Sequence, residues 1–322
     1  MSGRWLAGKV VAALLTFLFV LVFNFFLFRI MGDPTTQLAR LPQSTPQEIE
    51  QLRKDYGLDK PLLGQFADYV GDTARLDLGI SQGSRRPVWD EIKDAIPWTL
   101  LLVGTGTLLA TVLGSWMGVI AATRRGKKAD DGLLGFSLFT YAAPEYWIGI
   151  ILILVFAVWI PVFPDGLQMT PGADFPTAFD KVMDVLDHMI LPVTAMTLML
   201  LGQYFLIMRS SMVDVLTEDF VTVKRATGLP WHRVVRSHAV PNALLPLVTL
   251  SAIQFGAVAG GAITIETIFS WPGLGELSFQ AIQDKDFPVL EGTFLVFSVG
   301  VIFANLLADC LYFYLDPRVQ AA

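Results

Sequence analysis

Cysteine is nearly absent from this chain, and its scarcity excludes two kinds of site. Cys310 is the one cysteine among 322 residues, so no disulfide framework and no cysteine metal site is expected. Histidine is scarce as well, with three residues, and the H-E-x-x-H motif of zinc proteases does not occur. Disulfide bonds, cysteine metal sites and zinc-protease activity are therefore not predicted.

Charged residues are also few, and the sequence is correspondingly apolar. They make up 16% of the chain, against about 25% in soluble domains, whereas hydrophobic residues make up 53%. The net charge of −6 argues against a nucleic acid as partner. This composition is typical of a protein embedded in a membrane.

Apolar runs long enough to cross a bilayer recur along the chain, and each crossing needs about 20 residues. They lie at residues 10–30, 98–122, 133–160, 188–208, 243–265 and 292–315. Helices are expected because every backbone amide must find a partner within the lipid. The sequence therefore predicts an all-α polytopic membrane protein with six transmembrane helices.

Basic residues concentrate in alternate loops, which predicts the orientation of the chain. The loop after the second span and the loop after the fourth contain the main clusters: Arg124, Arg125, Lys127, Lys128 and Arg209, Lys224, Arg225, Arg233, Arg236. Loops rich in Lys and Arg stay in the cytoplasm. With six spans, the N and C termini are then both cytoplasmic.

These features divide the chain into four parts. Residues 1–30 are predicted to form an anchor helix, because the first apolar run is too long for a signal peptide and no cleavage site follows it. Residues 31–97 form an extracytoplasmic loop subdomain with helices at 45–56 and 62–73, residues 98–315 form the membrane core, and residues 316–322 form a cytoplasmic tail. In the late external segment, a re-entrant turn is expected to hold Trp271 at the membrane interface.

A polar segment between the fourth and fifth spans is predicted to form a helical hairpin at residues 214–241. Gly228 suits a left-handed helix end, and Pro230 suits a first helical turn. Apolar spacing defines one face on each half: Leu216, Phe220, Val223 and Thr227, then Trp231, Val234, Val235 and His238. Both a docking element for a cytoplasmic partner and an ordinary basic loop fit this pattern.

Polar residues inside the predicted spans are candidates for a translocation path, because burying them in lipid is costly. Glu145 directly follows Pro144, which is expected to open the third span and expose carbonyl groups. A carboxylate there could meet a cation such as the α-amine of a peptide, or could bond to a neighbouring helix. Gln203 and Gln254 are further candidates for this path.

Small residues predict close helix packing, either inside one subunit or between subunits. The glycines fall in the second and fifth spans: Gly104, Gly106, Gly114 and Gly118, then Gly256, Gly260 and Gly261.

Enzymatic motifs are missing. The nearest approach to a phosphate loop, Gly126-Lys127, has no Ser or Thr after the lysine and no upstream glycine at Ala121. An enzyme is therefore not expected.

Several motifs together resemble one known family. They are Tyr56-Gly57-Leu58-Asp59-Lys60-Pro61, Pro97-Trp98-Thr99-Leu100, Arg225-Ala226-Thr227-Gly228-Leu229, His238-Ala239-Val240-Pro241-Asn242-Ala243-Leu244-Leu245-Pro246, Ile265-Glu266-Thr267-Ile268-Phe269-Ser270-Trp271-Pro272-Gly273-Leu274-Gly275 and Leu315-Asp316-Pro317-Arg318. The chain resembles the first permease subunit of the dipeptide/oligopeptide branch of binding-protein-dependent ABC importers. Thr222-Val223-Lys224 departs from the E-A-A of the family's coupling loop, and Glu145 replaces an apolar or aromatic residue.

The resemblance implies a type I ABC importer permease fold, with residues 98–315 as the ABC transmembrane core. The expected partners are a second homologous permease, two cytoplasmic ABC ATPase subunits, an extracytoplasmic solute-binding protein, the surrounding membrane lipid and a peptide substrate. The chain itself would need no cofactor, no metal and no catalytic residue, because ATP and Mg²⁺ would bind to the partner ATPases. The expected location is a bacterial plasma (inner) membrane.

The resemblance also assigns residues to two surfaces. The hairpin would seat in an ATPase groove and bury Trp231, Val234 and Val235 there. The full set for ATPase coupling is Phe220, Arg225, Ala226, Gly228, Leu229, Trp231, His238 and Asn242. The set for the outer gate and binding-protein contact is Glu266, Trp271, Pro272, Gly273 and Gly275.

Two alternatives stay open at this point. Within the family, similar permeases import nickel chelates, glutathione or oligosaccharides. From a different class, an ion-coupled secondary transporter would act without an ATPase.

Overall fold

The computed structural model describes residues 3–31 and 60–315, and helices dominate both ranges. They are α1 (Gly3–Met31), α2 (Leu62–Ala74), α3 (Val88–Thr123), α4 (Lys128–Ala142), α5 (Glu145–Ile153), α6 (Ala178–Leu216), α7 (Asp219–Ala226), α8 (Trp231–Val234), α9 (Val240–Ala243), α10 (Leu245–Ile268), α11 (Leu274–Asp284) and α12 (Phe287–Leu315). Wider π-helical turns at Leu154–Trp159 and Val235–Ala239 follow α5 and α8. The all-α prediction is confirmed.

Four helical segments within these ranges are long and apolar enough to cross a membrane: Ala7–Arg29, Val88–Thr123, Ala178–Leu216 and Phe287–Cys310. A bent pair, Lys128–Ala142 with Glu145–Trp159, makes a fifth if it is counted as one span. The fifth predicted run, residues 243–265, falls on α10, which has 24 residues. The predicted external helix at 62–73 corresponds to α2, whereas the one at 45–56 lies outside the described residues.

The third predicted span is not one continuous helix. α4 and the following helix meet at an angle of 101°. Pro144 causes the break, because it has no N–H to donate and its ring excludes the preceding residue from helical geometry. Ala143 accordingly has an extended backbone, with ψ of 133°. The prediction of an interruption at Pro144 is confirmed, and the prediction that residues 133–160 cross the membrane once stays a prediction.

The described residues separate into two compact units. One unit holds residues 97–276 and 303–315, and the other holds residues 3–31, 60–96 and 277–302. α6 is the central helix of the first unit, since 61% of its most apolar stretch is buried. Buried side chains along its length include Met196, Tyr204, Phe205 and Met208.

α3 approaches α6 at glycine positions that are spaced along one side of α3. A Cβ atom at Gly106 would lie 2.5 Å from the Cγ atom of Met196. At Gly114 it would lie 2.7 Å from the Cβ atom of Tyr204. Gly118 makes a third close approach, at 2.7 Å from a Cβ atom on α6. The glycine prediction is thus confirmed for these three positions as packing within one chain.

The remaining predicted glycines differ. A Cβ atom at Gly104 would meet no described atom within 4 Å, so close packing inside the subunit was the wrong interpretation for that residue. The side chains around residues 252–262 on α10 lie outside the description, and the prediction for Gly256, Gly260 and Gly261 stays a prediction. Gly104, which has open space around it, can therefore serve as the control for Gly114, which is tightly packed on the same helix.

Replacing Gly114 by leucine is expected to lower the amount of folded permease in the membrane. The added side chain would collide with Tyr204 and the backbone of Phe205, and overpacking of this kind costs roughly 1–3 kcal/mol of folding free energy. Fluorescence-detected size-exclusion chromatography of detergent extracts measures the folded amount. Gly104→Leu is the control and should keep the wild-type amount. Equal amounts for both variants would contradict the packing described for α3 and α6.

The second unit is held together by aromatic side chains and one buried amide. The ring of Phe25 on α1 lies 5.3 Å from Phe66 and 5.6 Å from Tyr69 on α2. The amide nitrogen of the buried Asn24 donates to the hydroxyl of Tyr69 at 2.9 Å and to the backbone carbonyl of Glu291 at 3.2 Å. Burial raises the pKa of Tyr69 to about 12, so this hydroxyl stays protonated at physiological pH.

Candidate functional site

The hairpin after α6 has the two helical halves that the sequence predicts. α7 ends at Ala226, and Gly228 follows with φ of +83°, a left-handed conformation that glycine adopts without strain. Pro230 then precedes α8 with φ of −65°, which suits the start of a helix. The predicted break at residues 228–230 is therefore confirmed.

The rotation of α7 differs from the prediction. Val221 is 2% exposed and faces the body of the protein, whereas Val223 is 58% exposed. Phe220 is half-buried beside Val221, and Thr227 is exposed. The predicted apolar face through Val223 and Thr227 is wrong. The short turn at residues 217–218 sets how α7 is rotated on the end of α6, and helical spacing alone carries no information about that turn.

The second half of the hairpin also buries part of the surface that was predicted to meet an ATPase. Val234 is fully buried and Val235 is nearly so, and Val235 belongs to the hydrophobic core of the first unit. They cannot enter a groove on another protein while that core is intact. Trp231, in contrast, is 42% exposed. The prediction that all three residues dock together is wrong for the two valines.

An exposed surface remains at the tip of the hairpin, and we name it the docking surface. It consists of Val223, Arg225, Ala226, Gly228 and Trp231. The guanidinium carbon of Arg225 lies 5.3 Å from the ring centroid of Trp231. A cation over an aromatic face contributes about 0.5–1 kcal/mol at an exposed site and orients both side chains. Tryptophan and arginine are also the side chains that most often dominate protein interfaces.

The other predicted coupling residues support the hairpin. Leu229 and His238 are half-buried. The side-chain amide of Asn242 donates to the backbone carbonyl of His238 at 2.7 Å, one turn earlier in the same helical segment. The carbonyl oxygen that accepts this hydrogen bond belongs to the wide π-helical turn. A contact of these three side chains with an ATPase stays a prediction.

The predicted outer gate is organised around one buried carboxylate, Glu266 on α10. Its oxygens accept from the Thr99 hydroxyl at 2.7 Å, the Gly275 backbone N–H at 2.6 Å and the Glu276 backbone N–H at 3.2 Å. The Thr99 hydroxyl oxygen in turn accepts from the Leu274 backbone N–H at 2.8 Å. The first turn of α11, which has no helical partners for these N–H groups, is thereby capped from outside.

Both glycines of this turn allow the approach of Glu266. A Cβ atom at Gly273 would collide with the Glu266 carboxylate, and one at Gly275 would lie 2.6 Å from the Cα atom of Ile263. Pro272 between them is half-buried. Larger residues at these glycines would push α11 away from the carboxylate that caps it.

Trp271 does not lie at a membrane interface. Its side chain is fully buried, and its indole N–H donates to the backbone carbonyl of Trp98 at 3.0 Å. The two indole rings meet edge to face, with centroids 5.6 Å apart. The interface prediction is wrong because the Pro272–Gly273 turn folds the indole into the core of the first unit. Contact of this segment with a binding protein stays a prediction.

The candidates for the translocation path differ in where they lie. Glu145 is half-buried and is the first residue of α5, directly after Pro144, where the N-terminal end of the helix favours a carboxylate. Gln203 is half-buried on α6. The side chain of Gln254 lies outside the description. Among the described residues, no group of His, Cys, Asp and Glu side chains could hold a metal ion.

Two pairings in the first unit were missed by the sequence reasoning. Thr99 belonged to a recognised motif, but its bond to Glu266 joins residues 167 positions apart. Asp130 and Arg209, 79 positions apart, form an ion pair that no motif indicated. The only available signal was that each polar side chain lies near a predicted span end.

Comparison with known families gives matches over nearly the whole sequence. The family described as "Binding-protein-dependent transport system inner membrane component" matches residues 111–321. A second family, described as "Binding-prot-dependent transport system membrane comp, N-term", matches residues 3–103.

Curated relatives match with similar coverage. The dipeptide transport system permease protein DppB of Escherichia coli (strain K12) is 36% identical over 322 residues, covering 95% of each chain. The di/tripeptide transport system permease protein DppB of Pseudomonas aeruginosa (strain UCBPP-PA14) is 37% identical over 320 residues, again covering 95% of each. The glutathione transport system permease protein GsiC of Escherichia coli (strain K12) is 36% identical over 304 residues, covering 94% of this chain and 93% of the relative.

Proposed function

The chain belongs to the family of binding-protein-dependent ABC transport permeases, and from this membership we propose that it forms half of the translocation pathway of an importer for di- or oligopeptides. It is a multi-pass membrane protein with the type I permease fold. Relatives named for dipeptide, di/tripeptide and glutathione transport support a short peptide as substrate.

The docking surface is the observation that carries the mechanism. Its Arg225–Trp231 pair is exposed, while the rest of the hairpin is anchored in the core through Val221 and Val234. A cytoplasmic ATPase that binds the exposed tip would therefore transmit its movement to the part of the hairpin that is fixed in the core. ATP-driven closure of the ATPases would move the hairpin together with α6 and α10, which tilts these helices and changes the side of the membrane to which the pathway opens.

The complete transporter has four kinds of component in this proposal. A second homologous permease completes the pathway, two ABC ATPases bind ATP and Mg²⁺, and a solute-binding protein delivers substrate from outside. This chain has no ATPase site of its own, which the incomplete Gly126-Lys127 loop supports. Its N and C termini face the cytoplasm, because the basic loops then lie on that side.

Reconstitution tests this function. The purified chain, with its second permease and ATPases, is incorporated into proteoliposomes that enclose ATP, and labelled dipeptides, tripeptides and glutathione are offered with the binding protein. We expect ATP-dependent uptake of a short peptide. Preferential uptake of glutathione would support the alternative within the family, as would uptake of a nickel chelate or an oligosaccharide. Uptake by this chain without ATPases, driven by an ion gradient, would instead support a secondary transporter.

Replacing Glu145 by glutamine is expected to reduce uptake of peptides with a free α-amine relative to N-acetylated peptides. The carboxylate stands at the break beside Pro144, and a bond to a charged group contributes about 1.5–3 kcal/mol, or roughly tenfold to a hundredfold in preference. Competition between the two peptide classes for uptake measures this ratio. Asp174→Asn, at an exposed position, is the control. An unchanged ratio for Glu145→Gln would remove Glu145 from the translocation path.

A further inference from the structure

An ion pair between a buried carboxylate and a partly exposed guanidinium joins the start of α4 to the last part of α6. The Nε atom of Arg209 donates to one carboxylate oxygen of Asp130 at 2.7 Å, and a terminal guanidinium nitrogen donates to the other at 2.8 Å. Asp130 is 2% exposed, although it follows a loop rich in basic residues. The two-point geometry fixes the angle between the side chains as well as their distance.

The surroundings of Asp130 are arranged for its charged form. The backbone N–H of Gly126 donates to the same oxygen that accepts from the terminal nitrogen of Arg209, at 3.1 Å. The left-handed backbone of Gly126, with φ of +75°, turns this N–H toward α4. A buried carboxylate is strongly destabilising unless its oxygens are paired. Three N–H donors compensate here, and the two from Arg209 depend on the relative position of α4 and α6.

A second contact fixes α4 to α6 farther along the same helix. A Cβ atom at Gly202 would lie 2.5 Å from the backbone oxygen of Ser137 and 2.7 Å from the Cβ atom of Tyr141. The helices therefore touch at the ion pair and again at Gly202. Two separated attachment points prevent one helix from pivoting on the other.

α6 leads into the hairpin, and α4 leads to the break at Pro144. Arg209 lies about two turns before α6 ends at Leu216 and the hairpin begins. α4 ends at Ala142, just before the break at Pro144 and Glu145. A displacement of the hairpin base would thus reach the break through α4 where α4 follows α6, besides the direct packing of α5 on α6.

We propose that Asp130 and Arg209 are positioning residues that make α4 move as one body with α6, so that hairpin displacement reaches the broken span at Pro144. This inference rests on the proposed function, because it assumes that an ATPase moves the hairpin. It goes beyond that function in assigning the transmission to one ion pair. α5, beyond the break, is the part that changes its angle.

Coupling efficiency tests this role in the purified four-component transporter. For Asp130→Asn we expect ATP hydrolysis to persist while peptide transported per ATP hydrolysed falls roughly tenfold, because the two-point charged bond that joins α4 to α6 is lost. The double variant Asp130→Arg with Arg209→Asp should recover a substantial part of that ratio. Asp94→Asn, which breaks the exposed ion pair with Arg86 (2.8 Å), is the control and should keep it.

Two results would overturn the proposal. One is an unchanged transport-to-hydrolysis ratio in Asp130→Asn. The other is a parallel fall of transport and hydrolysis that follows the amount of assembled complex, because a purely structural pair gives that result. If the wild-type complex shows no ATP-driven peptide uptake, the proposed function itself fails, and the inference fails with it.

If the variants do not assemble, a distance measurement on the complex with the ion pair intact tests whether α4 moves together with α6. Cys310 is replaced by serine, and spin labels are attached at the exposed positions Lys127 and Thr217, or at Val158 and Thr217. Between the nucleotide-free and ATP-bound complex, the 127–217 distance should stay constant while the 158–217 distance changes. Equal changes in both distances would show that α4 does not follow α6 and would overturn the proposal.

Discussion

Replacing Trp231 by alanine is expected to abolish most ATP-driven peptide uptake while the permease remains in the membrane at its normal amount. Trp231 is exposed and is oriented by the guanidinium of Arg225, whereas the anchoring residue Val234 lies beneath the surface and is untouched by the change. Truncating a dominant interface aromatic costs about 2 kcal/mol or more, which corresponds to roughly thirtyfold weaker binding. Co-purification of the ATPase subunits and uptake in proteoliposomes measure the effect.

Phe179→Ala provides the matched control for this variant. Phe179 is 70% exposed and stands at the opposite end of α6, so its truncation removes a similar aromatic side chain without touching the hairpin. We expect ATPase binding and uptake to remain at the wild-type level. Normal ATPase binding in Trp231→Ala, or an equal loss in Phe179→Ala, would contradict the assignment of the docking surface.

Replacing Glu266 by glutamine is expected to lower the stability of the permease. The amide has one acceptor oxygen where the carboxylate has two, so with that oxygen toward the N–H groups of Gly275 and Glu276 its NH₂ group faces the Thr99 hydroxyl, which loses its acceptor. A buried donor left without an acceptor costs about 1–3 kcal/mol, and the two backbone N–H groups also lose a charged acceptor. The measurements are the folded amount in membranes and the unfolding temperature of the purified protein.

Two further variants separate this effect from a general sensitivity of the region. Thr99→Val removes one acceptor and one donor from the same network and should give a smaller loss in the same direction. Asp284→Asn changes an exposed carboxylate at the other end of α11 and should have little effect. A Glu266→Gln protein as stable as the wild type would show that this carboxylate does not hold the first turn of α11 in place.

Local signals predicted the helices and the hairpin break with little error. Apolar runs of sufficient length identified the membrane helices, because lipid leaves the backbone no other partner. Gly228 and Pro230 marked the hairpin break, since each restricts its own backbone conformation. Pro144 marked the interruption of the third run for the same reason.

Burial within the site could not be predicted in the same way. The spacing of Val234, Val235 and Trp231 shows that they share a region of the helix, but not which of them the body of the protein covers. Tryptophan is common at membrane interfaces, so the sequence alone favoured that position for Trp271. Only the fold shows that the backbone carbonyl of Trp98 accepts from the buried indole N–H.

Long-range polar pairs lie furthest beyond sequence reasoning. Asp130 and Arg209 are 79 positions apart, and Thr99 and Glu266 are 167 apart. Each residue taken alone resembles an ordinary polar residue near the end of a span. Their pairing depends on how α4 and α10 pack against neighbouring helices, which hydrophobic periodicity does not specify.

Site-specific photo-crosslinking from the docking surface tests the central claim most directly. A photoreactive amino acid is placed at position 231 in one sample and at position 179 in the other, within the assembled transporter. The account predicts crosslinks from position 231 to an ATPase subunit, increasing when ATP is bound, and none to the ATPase from position 179. An absence of ATPase crosslinks at position 231 in an intact, actively transporting complex would contradict it.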